Sequence, residues 1–393
     1  MPYLRLPRVV PTMLLAGLAG LAVVACDKAP GGPEGDRAPA GGDADVTRTA
    51  AQPAGSTQPA RAAAAGAPDA GADAAAALAP PPPPPPLPDE DLYPTTLEEQ
   101  REALFRRMAA TLRLGEDQLV KVRAVFGRSN VLGQGNPAVA KYAMTRRECR
   151  EIRAAAAVVE EEKARCGAPF MAPLYDPAAG QSEADAKVCI DRYEFPGIPC
   201  EHPVVWSSPR EAAELCEAVG KRLCDAHEWE GGCAGALHEP EAEYTFGKER
   251  KVSRRKHNEA REIVWAYGAE QNHDLCATKS SKTKGCTSGG WKRCGTNAYP
   301  AGAFPGCVSR LGVYDQHGNV AEHMNLPTRP EEMMSSGGAG QTEMKGSWFI
   351  FAGLEAHPDD CRWRAPDWHA TRVKDVNSHA NYHLGFRCCK SIP

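Results

Sequence analysis

Apolar residues recur with helical spacing between positions 92 and 167, which predicts a small helical region. In the first helix they lie on one face, at Leu97, Leu104, Met108 and Leu112. Thr96 and Glu99 form a capping box at its start, and Gly115 ends it. A second apolar face follows, at Leu119, Val122 and Phe126, and a third helix is expected from about Arg146 to Ala164. The pattern leaves open whether these helices pack on the rest of the chain or form a spacer.

Two more helices are predicted in the middle of the chain. The first has a serine cap, a proline in its first turn, an apolar face and a glycine stop, all within 208–220. The second begins with a capping box of Asp225 and Glu228 and turns Trp229 inward. Both helices are interpreted as structural, with Glu228 as part of a cap and Glu230 as a solvent-facing charge rather than a catalytic acid.

The N-terminal stretch predicts export and lipid anchoring. Residues 1–25 carry two arginines, an apolar run from Met13 to Val24 and small residues before Cys26. This order is typical of a bacterial lipoprotein signal with Cys26 as the lipid-bearing first mature residue; an ordinary signal peptide cleaved elsewhere is the alternative. Residues 26–91 are rich in Ala, Pro, Gly and Asp and have little to bury, so they are expected to form a disordered tether. The folded part should then sit in the cell envelope, facing the periplasm or the cell surface.

The cysteine count and the net charge favour a disulfide-stabilised protein and argue against zinc-binding, redox and nucleic-acid-binding classes. Of 15 cysteines, 14 remain after Cys26 and none has Cys-x-x-Cys spacing, which favours disulfides over a zinc or redox motif. The formal charge is −4, and removal of the two arginines of the signal brings it near −6, so no nucleic acid is expected as a partner. The basic run from Lys248 to Lys256 is interpreted as a solvated loop.

The loop GVYDQHGNVAEH, residues 312–323, carries the candidate metal chemistry. Asp315 and Glu322 stand on either side of a Gly318-Asn319 turn, so the two acids and the carbonyls between them can meet at one point. Calcium binds six to eight such oxygens, and a glycine lets the backbone present several of them. A hairpin turn explains the same residues, and the residues themselves leave both interpretations open.

This loop resembles the signature loop of the formylglycine-generating enzyme (sulfatase-modifying factor) superfamily. Other motifs of that family stand in its order around the loop: Val205-Trp206, Gly220-Lys221-Arg222-Leu223, His227-Glu228-Trp229-Glu230, Tyr244-Thr245-Phe246-Gly247, Lys345-Gly346-Ser347-Trp348, Arg362 to Arg364 and Gly385-Phe386-Arg387-Cys388. The resemblance runs from about Cys189 to the C-terminus, and we assign the domain to 168–393, after the helical region at 92–167. It implies an α+β fold, loop-rich and disulfide-stabilised, related to C-type lectins, with the ergothioneine-synthase and pyoverdine-maturation enzymes as relatives.

A structural calcium site is implied by the resemblance. Its ligands would be the side chains of Asp315 and Glu322 and the backbone carbonyls of Gly318 and Val320. The chain departs from the family's common GNVWEW at Ala321 and His323, where tryptophans wall the substrate cleft of the catalytic members. The resemblance therefore implies metal binding and casts doubt on catalysis.

Two disulfides are implied as well, Cys216 with Cys388 and Cys233 with Cys361. Cys389, adjacent to Cys388, is expected to pair elsewhere. The pairing of the other ten cysteines cannot be deduced from the sequence.

Copper chemistry is not expected. Formylglycine-generating enzymes place two cysteines after the Gly-Ser-Trp motif, because paired thiolates select Cu(I). Here the corresponding positions are Ile350 and Ala356, the second with one residue of slack, although Ser347, which lines the family's active site, is present.

Iron is not expected either. The ergothioneine-type branch takes iron-binding histidines from an N-terminal helical domain, and Leu92 to Cys166 contains none. Six other histidines match no ligand spacing and are interpreted as scattered on the surface: His317, His323, His357, His369, His379 and His383.

The expected function is that of a binding or accessory module on a membrane-tethered lipoprotein, with a peptide or protein as its ligand. The alternative is a metal-dependent oxidoreductase that modifies a peptide or a peptide-derived substrate in the periplasm. Oxygen consumption that depends on copper or iron would separate the two.

Overall fold

The computed structural model describes residues 93–141, 144–240, 244–283, 290–293, 295–333, 340–366 and 371–392. The predicted signal, Cys26 and the tether lie outside these ranges. Within them, no helix combines the length and the apolar character that a membrane span requires.

Local capping explains where most helices begin. The α-helices are α1 (Leu97–Leu112), α2 (Glu116–Gly127), α3 (Arg146–Ala155), α4 (Pro209–Ala218), α5 (Ala226–Ala234) and α6 (Arg250–Ala260). At the starts of α1, α4 and α5, the side chains of Thr96, Ser208 and Asp225 accept a hydrogen bond from the backbone N–H three residues on. Helix α3 ends well before Ala164, because Ala157 takes a left-handed φ of 52° and the chain turns back so that Glu160 pairs with Arg153.

Two small sheets confirm the α+β class. The strands are β1 (Met171–Leu174), β2 (Val188–Asp191), β3 (Arg222–Leu223), β4 (Ala321–Leu326), β5 (Gln341–Lys345), β6 (Leu384–Phe386) and β7 (Cys388–Ser391). One sheet has the order β1-β2-β7-β3 and is antiparallel throughout; the other has the order β5-β4-β6, with β4 antiparallel to β5 and parallel to β6. Long irregular segments connect these elements, as expected for a loop-rich fold.

Helices α1 and α2 belong to the main domain and are not a spacer. Their buried residues share one hydrophobic core with α4 and with the strand ends around Phe195 and Phe386. Met108 and Val122 are fully buried there, and each such side chain contributes roughly 1.5–3 kcal/mol on burial. The Cys149–Cys200 disulfide ties α3 to the same region.

The basic stretch that was predicted to be a solvated loop forms helix α6. One side of this helix is held by the segment that follows Cys361: the His257 Nε2 atom lies 2.6 Å from the carbonyl oxygen of Arg362, and Asn258 donates to the carbonyl oxygen of Arg364 at 3.0 Å. Lysine and arginine are good helix formers. A run of basic residues is therefore compatible with a helix once one face has a partner.

Six disulfides crosslink the described residues: Cys149–Cys200, Cys166–Cys189, Cys216–Cys388, Cys224–Cys389, Cys233–Cys361 and Cys276–Cys307. The third and fifth are the two pairs implied by the resemblance, and Cys389 pairs away from the partner of its neighbour. Cys286 and Cys294 lie outside the described residues.

Candidate functional site

The loop 312–323 is a buried turn that leads into the central strand β4. Asp315, Gly318 and Asn319 all have left-handed φ values, of 59°, 75° and 51°. A Cβ atom on Gly318 would lie 2.5 Å from the carbonyl oxygen of Ala277, so only glycine fits this close approach. The loop does not form a hairpin, because β4 pairs with β5 and β6 rather than with the residues before the turn.

Glu322 already has a cation at its carboxylate, the guanidinium of Arg387. The Oε1 atom accepts from Nη2 at 2.6 Å and the Oε2 atom from Nε at 2.7 Å, while the indole N–H of Trp229 donates to Oε2 at 3.0 Å. Arg387 also donates to the carbonyl oxygens of Asp191 and Tyr314, at 3.1 and 3.0 Å. Both side chains of the pair are buried.

Two more carboxyl groups lie close to this pair. Glu194 accepts hydrogen bonds from the Asn319 side chain and from the Val320 N–H, and Asp315 accepts from the Gly302 N–H. Burial, together with the charges of Asp315 and Glu322, raises the pKa of Glu194 well above its usual value. Burial also raises the pKa of Asp315 to about 6. A proton on Glu194 would remove part of the negative charge of the cluster.

These contacts do not fit the calcium role that the resemblance implies for Glu322. Calcium at Glu322 would share the carboxylate with the guanidinium of Arg387, which already donates to both oxygens, so two cations would lie side by side. Displacing Arg387 instead would remove one partner from a buried ion pair, at a cost of about 3–5 kcal/mol. The charge of Arg387 therefore disfavours calcium at Glu322.

Ser347 is buried between the signature loop and the segment before Cys361. Its Oγ atom accepts from the Gly318 N–H at 2.8 Å and donates to Oδ2 of Asp359 at 3.2 Å. Burial by itself would raise the pKa of Asp359, but the interaction with the nearby His317 imidazole, with smaller contributions from Trp265 and His273, lowers it. Asp359 is therefore a weak base that holds the Ser347 hydroxyl in place.

His317 connects Asp359 with a disulfide. Its Nδ1 atom lies 3.8 Å from Oδ2 of Asp359, and its Nε2 atom accepts from the Ala266 N–H at 3.0 Å. The Nε2 atom also lies 3.3 Å from Sγ of Cys233 and 3.6 Å from Sγ of Cys361. The imidazole nitrogen and the two sulfur atoms are close enough together to be ligands of one metal ion. The two sulfur atoms form a disulfide, however, and supply no thiolate.

Two histidines and one glutamate that were expected at the surface are buried. His317 and His323 are at most 2% exposed, and Nε2 of His323 lies 3.0 Å from the carbonyl oxygen of Ser207. Glu230 is fully buried and accepts from Lys345 at 2.9 Å and from Arg364 at 3.0 Å. The prediction of a solvent-facing Glu230 was wrong because its two cationic partners come from more than 100 residues away. His369 lies outside the described residues.

Apolar and aromatic residues occupy the segment where the family places its copper-binding cysteines. Ile350 is half-buried against an apolar cluster and Ala356 is exposed. Between them and Cys361, the His357 ring stacks on Trp363 with a centroid distance of 4.5 Å and an interplanar angle of 1°. Trp348 and Phe351 pack against the same imidazole.

Sequence reasoning did not identify three residues that hold this region together: Glu194, Asp359 and Arg387. Arg387 was noted only as part of a family motif. Glu194 follows Cys189 and Asp359 precedes Cys361, both among other polar residues. Nothing in the neighbouring sequence marks either acid as buried. An acid this close to a disulfide cysteine, as Asp359 is to Cys361, is the one signal that could have drawn notice.

Comparison with known proteins agrees with the motifs. The model of the family described as "Sulfatase-modifying factor enzyme 1-like domain" matches residues 138–392. Among solved structures, the crystal structure of CarF is similar at 13% identity and a TM-score of 0.31, over 52% of this chain and 87% of that one. No curated protein matches significantly. The family model matches more than half of the length of this chain, so the chain belongs to the sulfatase-modifying factor enzyme 1-like family.

Proposed function

We propose that this protein is an exported, lipid-anchored binding or accessory module that keeps the sulfatase-modifying-factor fold without the copper-dependent formation of formylglycine. The observation that carries the proposal is the pair Ile350 and Ala356, which stand where the family's copper-binding cysteines are expected.

Soft thiolate ligands are what select Cu(I) in proteins. An isoleucine and an alanine offer no ligand atom, and all twelve cysteines among the described residues are paired in disulfides. Cys361, which follows this segment, is bonded to Cys233. Activation of oxygen at this place therefore has no metal to begin it.

The polar residues nearby support a holding role better than a catalytic one. The Ser347 hydroxyl already donates a hydrogen bond to Asp359 and accepts one from the Gly318 N–H. A carboxylate whose pKa is lowered is a poor general base near neutral pH. The same contacts fix the signature loop against the segment 346–361, which would keep a binding surface rigid.

Lipid anchoring rests on the sequence before Cys26. Cys26→Ala is expected to release the protein from the membrane fraction and to remove the mass of the lipid. A variant that still fractionates with membranes in lipidated form would refute this part of the proposal.

The proposed loss of chemistry is tested with the oxidised protein, copper, a reductant that spares disulfides, and a sulfatase-type Cys-x-Pro-x-Arg peptide. The mass of the peptide should stay unchanged, and oxygen uptake should equal that of a sample without protein. Conversion of the cysteine to an aldehyde would overturn the proposal. Oxygen uptake that depends on added iron or copper would favour the oxidoreductase alternative.

A further inference from the structure

Helix α6 lines a surface cavity of about 570 Å³ together with the segment after Cys361. The helix contributes Lys251, Val252, Arg254, Arg255, Asn258 and Glu259, and the segment contributes Trp363, Arg364 and Pro366. We call this the basic cavity. Its volume is within the range of about 300–1,000 Å³ that small-molecule sites occupy.

The charge of the basic cavity is opposite to that of the chain as a whole. Among the described residues, four cationic side chains line it against a single carboxylate, Glu259, whereas the whole chain carries −4. Arg364 is already paired with buried Glu230. The Nε atom of Arg255 lies 3.9 Å from Oε1 of Glu259, and both side chains are 69% exposed. An exposed ion pair of that kind contributes little to stability.

The helix places these cations on one face. Lys251, Arg255 and Asn258 are spaced four and three residues apart, so they lie on the face of α6 that lines the cavity. The helix itself is anchored by His257 and Asn258 against the backbone at 362 and 364. A ligand would therefore meet cations whose backbone positions are already fixed, which lowers the entropy lost on binding.

The basic cavity adjoins the segment that has lost the copper-binding cysteines. Trp363 lines the cavity, and its indole stacks on His357, which lies one residue after Ala356. A sulfatase-type peptide carries an arginine two residues after its proline, and such a cation would be repelled by this surface. The charge here favours a ligand of the opposite sign.

We propose that the basic cavity binds a small polyanion that carries phosphate or sulfate groups. Arginine offers a planar fork of donors that matches the oxygen geometry of such groups, and lysine adds a point charge. Trp363 provides an apolar wall for the part of the ligand that bears the charges. This inference deepens the binding role proposed above by naming its ligand class.

Helix α6 supplies a matched pair of variants for the test. Lys251→Glu and Lys256→Glu make the same substitution on the same helix, at two exposed residues. Lys251 lines the basic cavity, and Lys256 lines neither it nor the smaller cavity beside Arg250 and Ser253. The probe is pyrophosphate, titrated calorimetrically into the full mature protein at low and at physiological ionic strength.

Pyrophosphate is expected to bind with an affinity that falls as salt increases. Lys251→Glu should weaken binding by about tenfold or more, the loss expected for a charge-assisted hydrogen bond, whereas Lys256→Glu should leave it nearly unchanged. Equal weakening by the two variants would overturn the proposal in favour of diffuse attraction to the helix. Absence of heat at millimolar pyrophosphate, with both variants melting like wild type, would overturn it as well.

A second experiment distinguishes a small free ligand from the headgroup of a membrane lipid. Vesicles of phosphatidylglycerol and of phosphatidylcholine are tested for binding to the protein with Cys26 replaced by serine. Binding to the anionic vesicles without binding to pyrophosphate would overturn a small free ligand. The two proposals can fail separately, since aldehyde formation would end the non-catalytic role even if pyrophosphate binds at Lys251.

Discussion

Arg387→Met tests whether the guanidinium is the cation at Glu322. The substitution keeps much of the apolar length of the side chain and removes its charge and its donors. It leaves the Glu322 carboxylate buried with only the Trp229 indole N–H, and it leaves the carbonyls of Asp191 and Tyr314 without the donors that Arg387 supplies.

The expected loss follows from those contacts. Removing one partner of a buried ion pair costs about 3–5 kcal/mol, and each carbonyl that loses its donor adds on the order of 1 kcal/mol. We therefore expect the free energy of unfolding to fall by at least about 5 kcal/mol. The double variant Glu322→Gln/Arg387→Met removes the orphaned charge but keeps an acceptor for Trp229, so it should be more stable than the single variant.

The assay is urea unfolding at pH 7 with the disulfides intact, comparing midpoints and slopes. A loss below about 1 kcal/mol for Arg387→Met, the size of a surface pair, or a double variant no more stable than the single one, would refute the reasoning. Chelation adds an independent check: because Arg387 neutralises Glu322, treatment of the wild type with EDTA should leave its melting temperature unchanged. A drop that calcium restores would contradict this and favour the calcium ligands implied by the resemblance.

Two further predictions concern a buried carboxyl and the thiols. Burial, followed by the charge of a neighbouring carboxylate, raises the pKa of Asp225 to about 7, so the folded state holds a proton that the unfolded state releases, and stability declines as pH rises from about 4 through about 7. In urea unfolding, the stability of Asp225→Asn relative to wild type should rise by roughly 3 kcal/mol between pH 5 and pH 8. The control is Asp185→Asn, at an exposed carboxyl whose pKa is lowered by its hydrogen bonds with Ser182, and it should show no such rise. Parallel pH profiles of Asp225→Asn and wild type would contradict the raised pKa. The Cys26→Ser variant is unfolded without reduction, treated with maleimide and analysed by mass. At most two additions are expected, because only Cys286 and Cys294 lie outside the six disulfide pairs. A third addition would show that one of the six disulfides is not formed.

Local chemistry made the helix starts predictable. The cap at Thr96 and the capping boxes at Ser208 and Asp225 satisfy backbone donors within three residues, so their signal lies entirely in the sequence. The end of α3 was less predictable, because its alanines favour a helix and the turn at Ala157 serves a contact between Glu160 and Arg153.

Contacts between distant residues could not be read in this way. Glu230 has the same local signature as an exposed helix charge, and only the approach of Lys345 and Arg364 makes it a buried anion. The same holds for Glu322 and Arg387, which are 65 residues apart. The resemblance supplied two disulfides, whereas the other four pairs became known only with the fold.

The candidate site was predictable in position and less so in chemistry. The motif around Ser347 located the region, and the absence of cysteines at 350 and 356 was plain from the sequence. That Asp359 holds the serine hydroxyl, and that a basic helix lines the neighbouring cavity, depends on packing between separate segments.

Copper binding by the purified, oxidised protein is the most direct test of the account. The protein, with Cys286 and Cys294 replaced by serine so that no thiol outside the six pairs can bind copper, is incubated with Cu(I) under ascorbate and a competing chromophoric chelator, then desalted, and copper is measured per chain. No copper should be retained, because neither Ile350 nor Ala356 offers a thiolate and the described cysteines are paired. Retention of close to one Cu(I) per chain would contradict it.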